Sequence, residues 1–179
     1  MEQELTLKEI LKEIFEIIVI AAILATIMRT MVIEARVIPS GSMIPTIQIS
    51  DRVLVNKFLY YFKQPQRGDI IVFKPPEKLA QKDDFIKRVI GLPGDTVEVH
   101  DGRVFVNGDA LTEPYIAEPP AYSYGPIKVP QGCLFVMGDN RNQSFDSHLW
   151  ESGVWLKLDH VKGKAFAIFW PLNRAEMLN

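Results

Sequence analysis

The chain has 179 residues, a formal charge of −2 and a single cysteine, Cys133. That length predicts one domain, or one domain with a short appendage, and it is enough to bury a core. The balance of 20 Lys+Arg against 22 Asp+Glu lacks the basic footprint of a nucleic-acid binder; one cysteine closes no internal disulfide, and with His100, His148 and His160 as its only companions it offers no zinc spacing. Neither a nucleic-acid partner nor a metal is expected.

The N-terminal flank from Glu2 to Glu16 reads as an amphipathic helix with Leu7, Ile10, Leu11 and Ile14 on one side, continuing into the apolar stretch Ile14 to Ile33. As a helix that stretch reaches roughly 30 Å, the thickness of a bilayer core. Glu16 and Arg29 interrupt it, but both lie near its ends, where long side chains extend to the interface. No small-x-small cleavage site follows, since the next residues are Glu34-Ala35-Arg36. An uncleaved, single-pass signal anchor over residues 1–34 is therefore expected, with a second unit over 35–179. Lys8 and Lys12 on one side against Arg29 and Arg36 on the other leave its orientation tied.

Beyond Ala35 the helical period gives way to short apolar runs between turn signals: Arg52 to Val55, then Ile70 to Phe73 after Arg67-Gly68-Asp69. Val97 to His100 and Arg103 to Val106 alternate on either side of Asp101-Gly102, which predicts a type I′ hairpin, and Asn107-Gly108 marks the next turn. Five prolines between Glu113 and Gln131 exclude a helix and predict an extended surface loop before a strand at Cys133 to Met137. Residues 155–162 fit a short helical turn or a strand. The expected fold is all-β, a partly closed barrel or sandwich of antiparallel strands behind one transmembrane helix.

Three segments are too polar and too punctuated for plain strands: Pro39 to Thr46, Phe85 to Asp95 and Met137 to His148. A serine hydroxyl becomes a nucleophile beside a base, and this chain offers either histidine or a neutral lysine. There is no Gly-x-Ser-x-Gly elbow at Ser42, and Pro45 stands where a Ser-x-x-Lys motif needs its lysine. Each segment also has a plain structural reading. Ser40 and Ser42 in a Pro/Gly context bond to their own backbone, Lys87 snorkels from an edge strand, and Gly138 to His148 is a self-bonded polar turn. Period-2 logic sets Lys87 and Arg88 on opposite strand faces. Asp139, Asp146 and His148 match no EF-hand or zinc spacing.

Taken together and in order, these segments resemble the type I signal peptidases, membrane-bound serine proteases that remove signal peptides from exported proteins. The residues carrying the resemblance are Ile38-Pro39-Ser40-Gly41-Ser42-Met43-Ile44-Pro45-Thr46, Gly68-Asp69-Ile70-Ile71-Val72-Phe73, Ile86-Lys87-Arg88-Val89-Ile90-Gly91-Leu92-Pro93-Gly94-Asp95, and Met137-Gly138-Asp139-Asn140-Arg141 with Ser144-x-Asp146-Ser147. The resemblance implies Ser42 as nucleophile, Lys87 as general base, Ser40 with the Ser42 amide as oxyanion hole, Ser144 orienting the lysine amine, and Asp146 bracing that loop. It also implies pockets for small residues at positions −1 and −3 built from Ile38, Met43, Ile47 and Ile86, and no cofactor. Preprotein signal peptides and the lipid bilayer are the implied partners, for a monomer whose N-terminus is cytoplasmic and whose protease unit lies across a plasma or thylakoid membrane. A lysine with pKa near 10.4 needs a drop of roughly three units, on the order of 4 kcal/mol, to be appreciably neutral near pH 7.5. His148, where arginine is frequent in the family, resembles the cyanobacterial and plant organellar enzymes and leaves open whether a structural salt bridge forms at that position. Two other readings compete: a Ser42, His148 and Asp146 triad, and an anchored β module that binds extended peptides without cutting them.

Overall fold

The computed structural model describes residues 7–27 and 32–178. A single helix, α1 (Leu7–Ile27), runs without a break through Glu16, so the amphipathic flank and the start of the apolar stretch are one element. Its charges Lys8, Glu9, Lys12, Glu13 and Glu16 sit in the first ten positions, with Lys12 and Glu16 paired at 3.7 Å. Among the described residues no helix is long and apolar enough to cross a membrane; the uncharged turns from Ile17 to Ile27 extend only about 16 Å. Ile17, Ile18, Ile20, Ile23 and Leu24 in these turns are exposed. The expected span continues over residues 28–31, outside the described ones, and its last residue, Ile33, begins a strand instead.

The strands are β1 (Ile33–Val37), β2 (Arg52–Asn56), β3 (Ile70–Phe73), β4 (Phe85–Gly91), β5 (Thr96–His100), β6 (Arg103–Val106), β7 (Asp109–Ala110), β8 (Tyr124–Lys128), β9 (Cys133–Met137), β10 (Leu156–Lys157), β11 (Val161–Trp170) and β12 (Glu176–Met177). Among the described residues they form two sheets. The larger runs β1-β2-β11-β3-β4-β9-β10, with β12 on β11, and the smaller runs β7-β6-β5-β8. The pairings are antiparallel, and the larger sheet curls into a half-barrel.

β3 and β4 are the strands that position the site. All four residues of β3 and all but the first of β4 are buried, the pattern of strands covered on both faces. On one side Ile38, Met43 and Ile47 pack with Val53, Val72, Ile86 and Ile168. Elsewhere Ile90, Phe135 and Met137 of the larger sheet pack against Val97, Val99, Val104 and Val106 of the smaller one.

The turn chemistry reads through to the backbone. Asp101 and Gly102 both have positive φ, 50° and 69°, as a type I′ turn requires, and Asn107-Gly108 repeats the device between β6 and β7. The proline-rich stretch, however, is not all loop: β8 runs through Pro126 and pairs with β5. It lies at the edge of the smaller sheet, where a residue without N–H removes no ladder bond. Residues 155–162 prove to be both alternatives in turn: β10, a 3₁₀ turn at Leu158–His160, then the start of β11.

Candidate active site

Lys87 stands in β4 between β3 and β9, opposite Ile71, so a snorkelling edge lysine is excluded. Both it and Arg88 are buried, at 4% and 3% exposure. Arg88 resolves its burial with a carboxylate: Nε and Nη2 donate to Asp139 Oδ1 and Oδ2 at 2.8 and 2.7 Å, Nη1 donates to the Gly68 carbonyl, and the guanidinium lies 3.9 Å from the Tyr115 ring centre. Lys87 has no such partner within bonding distance. Its Nζ lies 2.7 Å from Ser42 Oγ and 3.0 Å from the Ile86 carbonyl, and 5.3 Å from the centre of the Phe85 ring. Burial pushes the Lys87 ammonium down from 10.5 to about 8, against the charges of Asp146 and Asp139, which favour the proton.

Ser42 belongs to a series of tight turns between β1 and β2. The two ends of this segment are joined by Ile38 N–H to Asp51 O and Ser50 N–H to Ile38 O. Asp51 is buried and accepts from Gln48 N–H and from the Arg174 guanidinium near the C-terminus. The serine itself is clamped from the β9 side. Asn140 donates its backbone N–H to the Ser42 carbonyl and its side-chain amide to the Gly41 carbonyl, each at 3.1 Å, while Thr46 Oγ1 donates to Asp139 Oδ2 at 2.5 Å. Gly138 lies between this turn and Ser144: a Cβ there would overlap the Ser42 carbonyl oxygen on one side and the Ser144 side chain on the other.

Ser144 is buried and its Oγ has no hydrogen-bond partner; the lysine amine's second bond goes to Ile86 O rather than to this hydroxyl. Asp146 is fully buried. Its Oδ2 accepts Gly138 N–H at 2.8 Å and its Oδ1 lies 2.7 Å from His148 Nδ1. The histidine thus takes up Asp146, answering what pairs there in place of arginine. Its ring stacks on Tyr122, centroids 4.1 Å apart and planes 3° apart, in a second hollow bordered by Ala121, Ser123, Asn142, Leu149 and Ser144. Ser42 Oγ has Lys87 Nζ as its neighbour at 2.7 Å, whereas His148 is bonded to Asp146.

Ser42 and Lys87 open on a cleft of about 580 Å³ bordered by Ser40, Ile44, Ile86 and Phe145. Ser40 is exposed at its rim. Of the four pocket residues, Ile86 lines the cleft, whereas Ile38, Met43 and Ile47 are packed with it in the adjoining core. Sequence reasoning missed the roles of Arg88, Asn140 and Gly138, although all three lie inside the segments singled out; the signal was their adjacency to Lys87 and Asp139.

A mostly β chain that presents a serine hydroxyl against a buried amine in an open cleft has the equipment of a hydrolase. Residues 11–170 match the family described as signal peptidase, peptidase S26. The chain is 51% identical over 169 residues to the probable signal peptidase I-2 of Synechocystis sp., covering 93% of this chain and 76% of that protein. It is 39% identical over 162 residues to thylakoidal processing peptidase 1, chloroplastic, of Arabidopsis thaliana, covering 86% of this chain and 47% of the plant protein. A crystal structure of a signal peptidase I from Enterococcus faecalis aligns with a TM-score of 0.49 and 35% identity, over 57% of this chain and 97% of that one. The chain belongs to the type I signal peptidases of family S26 and is a serine peptidase.

Proposed function

We propose that this peptidase cuts signal peptides from exported preproteins with a Ser42/Lys87 dyad. The observation that carries the reading is the 2.7 Å contact between Lys87 Nζ and Ser42 Oγ, both of them buried at the floor of the cleft. A neutral amine accepts the serine proton as the hydroxyl attacks the scissile carbonyl, then delivers it to the leaving amine. A neutral amine also carries two N–H bonds. One goes to the Ile86 carbonyl, and the unpartnered Ser144 Oγ is suited to accept the other and aim the lone pair at Ser42. Asp146, bonded to Gly138 N–H, braces the loop that carries Ser144. Ser40 at the cleft rim and the Ser42 amide act as oxyanion donors, a contribution commonly worth about 3 kcal/mol per donor.

Ile86 and, behind it, Ile38, Met43 and Ile47 give the cleft a shallow apolar wall that admits alanine-sized side chains at −1 and −3 and rejects larger ones. The exposed apolar turns of α1, together with the chain that follows, fit a membrane anchor over residues 1–34 in one passage, N-terminus cytoplasmic, with the 35–179 unit across a plasma or thylakoid membrane. The unit acts as a monomer. The test is incubation of the purified protein with a labelled preprotein and sequencing of the new N-terminus. Cleavage after a small residue that disappears in both Ser42→Ala and Lys87→Ala is expected; full activity in either variant overturns the dyad.

A further inference from the structure

Two buried carboxylates, Asp139 and Asp146, act on the Lys87 amine, and they are neutralised by different means. Asp139 is held in a two-point ion pair by Arg88, which keeps its proton at all working pH values. Asp146 is held by His148 at 2.7 Å, an imidazole, which unlike a guanidinium exists in both a neutral and a charged form. We propose that His148 governs the protonation of Lys87 through Asp146, because the ammonium and the imidazolium compete for the field of one carboxylate. This rests on Lys87 being the general base.

The surroundings confine the exchange to these three groups. Asp146 is fully buried, and its other oxygen is taken by Gly138 N–H, so it has no solvent to spread its charge. His148 is packed face-on against Tyr122 and edge-on to Tyr124. Burial first, and the Asp146 charge second, push both tyrosine hydroxyls up, so they stay neutral. Arg141 and Glu113, the next charges toward Tyr122, form their own closed pair at 2.8 Å. The charge that Asp146 presents to Lys87 therefore depends on what the side chain at position 148 brings to it. With His148 neutral, the full charge of Asp146 holds a proton on Lys87; with His148 charged, that pull is cancelled and the amine gives up its proton more readily. His148 is a positioning residue for charge and does not touch the hydroxyl.

Two variants separate this from a packing role. His148→Arg places a permanent cation on Asp146, and His148→Gln removes the titratable one. The logarithm of kcat/KM against pH reports the free enzyme, and the ¹³C shift of labelled Lys87 in the detergent-solubilised full chain reports the amine without reference to cleavage. His148→Arg is expected to move both midpoints to lower pH by roughly one unit relative to His148→Gln. A packing role would lower kcat/KM at every pH with the midpoints unmoved. Equal Lys87 midpoints in the three proteins overturn the inference. Shifted carbon midpoints with an unshifted rate profile would uphold the coupling and strike instead at Lys87 as the base.

Discussion

Lys87 and Arg88 are consecutive in β4 and equally buried, yet only Arg88 meets a carboxylate, Asp139, in a two-point ion pair; Lys87 meets the hydroxyl of Ser42. The strand pleat sends the two side chains to opposite faces, and the fold sets a carboxylate within bonding distance on one face and a hydroxyl on the other. The stabilising partner goes to the cation that cannot be deprotonated, while the cation that can be is left in a setting that favours its neutral form.

That arrangement makes Lys87 costly below its native pKa. Its folded value of about 8 lies under the ordinary 10.5, so between these values the unfolded chain binds the proton and the folded one does not. Stability then rises with pH from about 8 to 10.5, and below pH 8 the buried ammonium costs on the order of 3 kcal/mol. Lys87→Met, which keeps the volume and removes the amine, is expected to be inactive and more stable than the parent at pH 6–7. The gain shrinks as pH climbs through 8 and is gone near 10.5. Denaturant midpoints measured at pH 6.5 and 9.5 check this, and a gain that does not shrink with pH refutes it.

Arg88→Met has the opposite sign. It leaves Asp139 buried with only Thr46 Oγ1 still donating to it, and breaking one half of a buried pair typically costs about 3–5 kcal/mol. The uncompensated Asp139 also raises the Lys87 midpoint, so residual activity should appear only at more alkaline pH. Thermal unfolding and a kcat/KM profile on the same preparation test both halves.

The sequence made the strands and the turn types readable because their physics is local. Asp101-Gly102 needs only two positive φ angles, and Ile70 to Phe73 only a run of apolar residues. Ser42 and Lys87 were selectable together only through the resemblance, since they lie 45 positions apart and pattern alone favoured a loop hydroxyl and an edge lysine. Two further features depend on long-range pairing that periodicity does not report. β8 passes through Pro126 because β5 offers it an outer edge, and Arg88 is buried because Asp139, 51 positions away, waits opposite it. The unpartnered Ser144 hydroxyl depends on side-chain geometry and has no sequence signal at all.

Gly138→Ala should damage the site more than its one methyl group suggests. The added carbon would meet Ser144 Cβ at 2.6 Å and press closer still on the Ser42 carbonyl oxygen, and neither belongs to the far end of a flexible side chain. Overpacking of this kind costs about 1–3 kcal/mol, and the relief available is to push the Ser42 turn away from Lys87. A displacement near 1 Å in a reacting pair can cost about a hundredfold in rate. Expected results are a folded protein, a kcat lowered by that order and a lowered melting temperature; wild-type kcat would show that the turn absorbs the carbon elsewhere.

Asn140 should separate positioning of the serine from its chemistry. Its side-chain amide donates to the Gly41 carbonyl and its backbone N–H to the Ser42 carbonyl, so Asn140→Ala removes the first bond and keeps the second. A neutral hydrogen bond contributes about 1 kcal/mol, which for a chain of this size lowers the melting temperature by roughly 2–4 °C. A serine held by one bond instead of two should lose about tenfold in kcat with little change in KM. Asn140→Asp is the sharper comparison, because a carboxylate cannot donate to Gly41 O and instead repels it. Its kcat should fall below that of Asn140→Ala, and if the aspartate variant matches wild type, the Ser42 turn is held by its own backbone and by Asp51 rather than by Asn140.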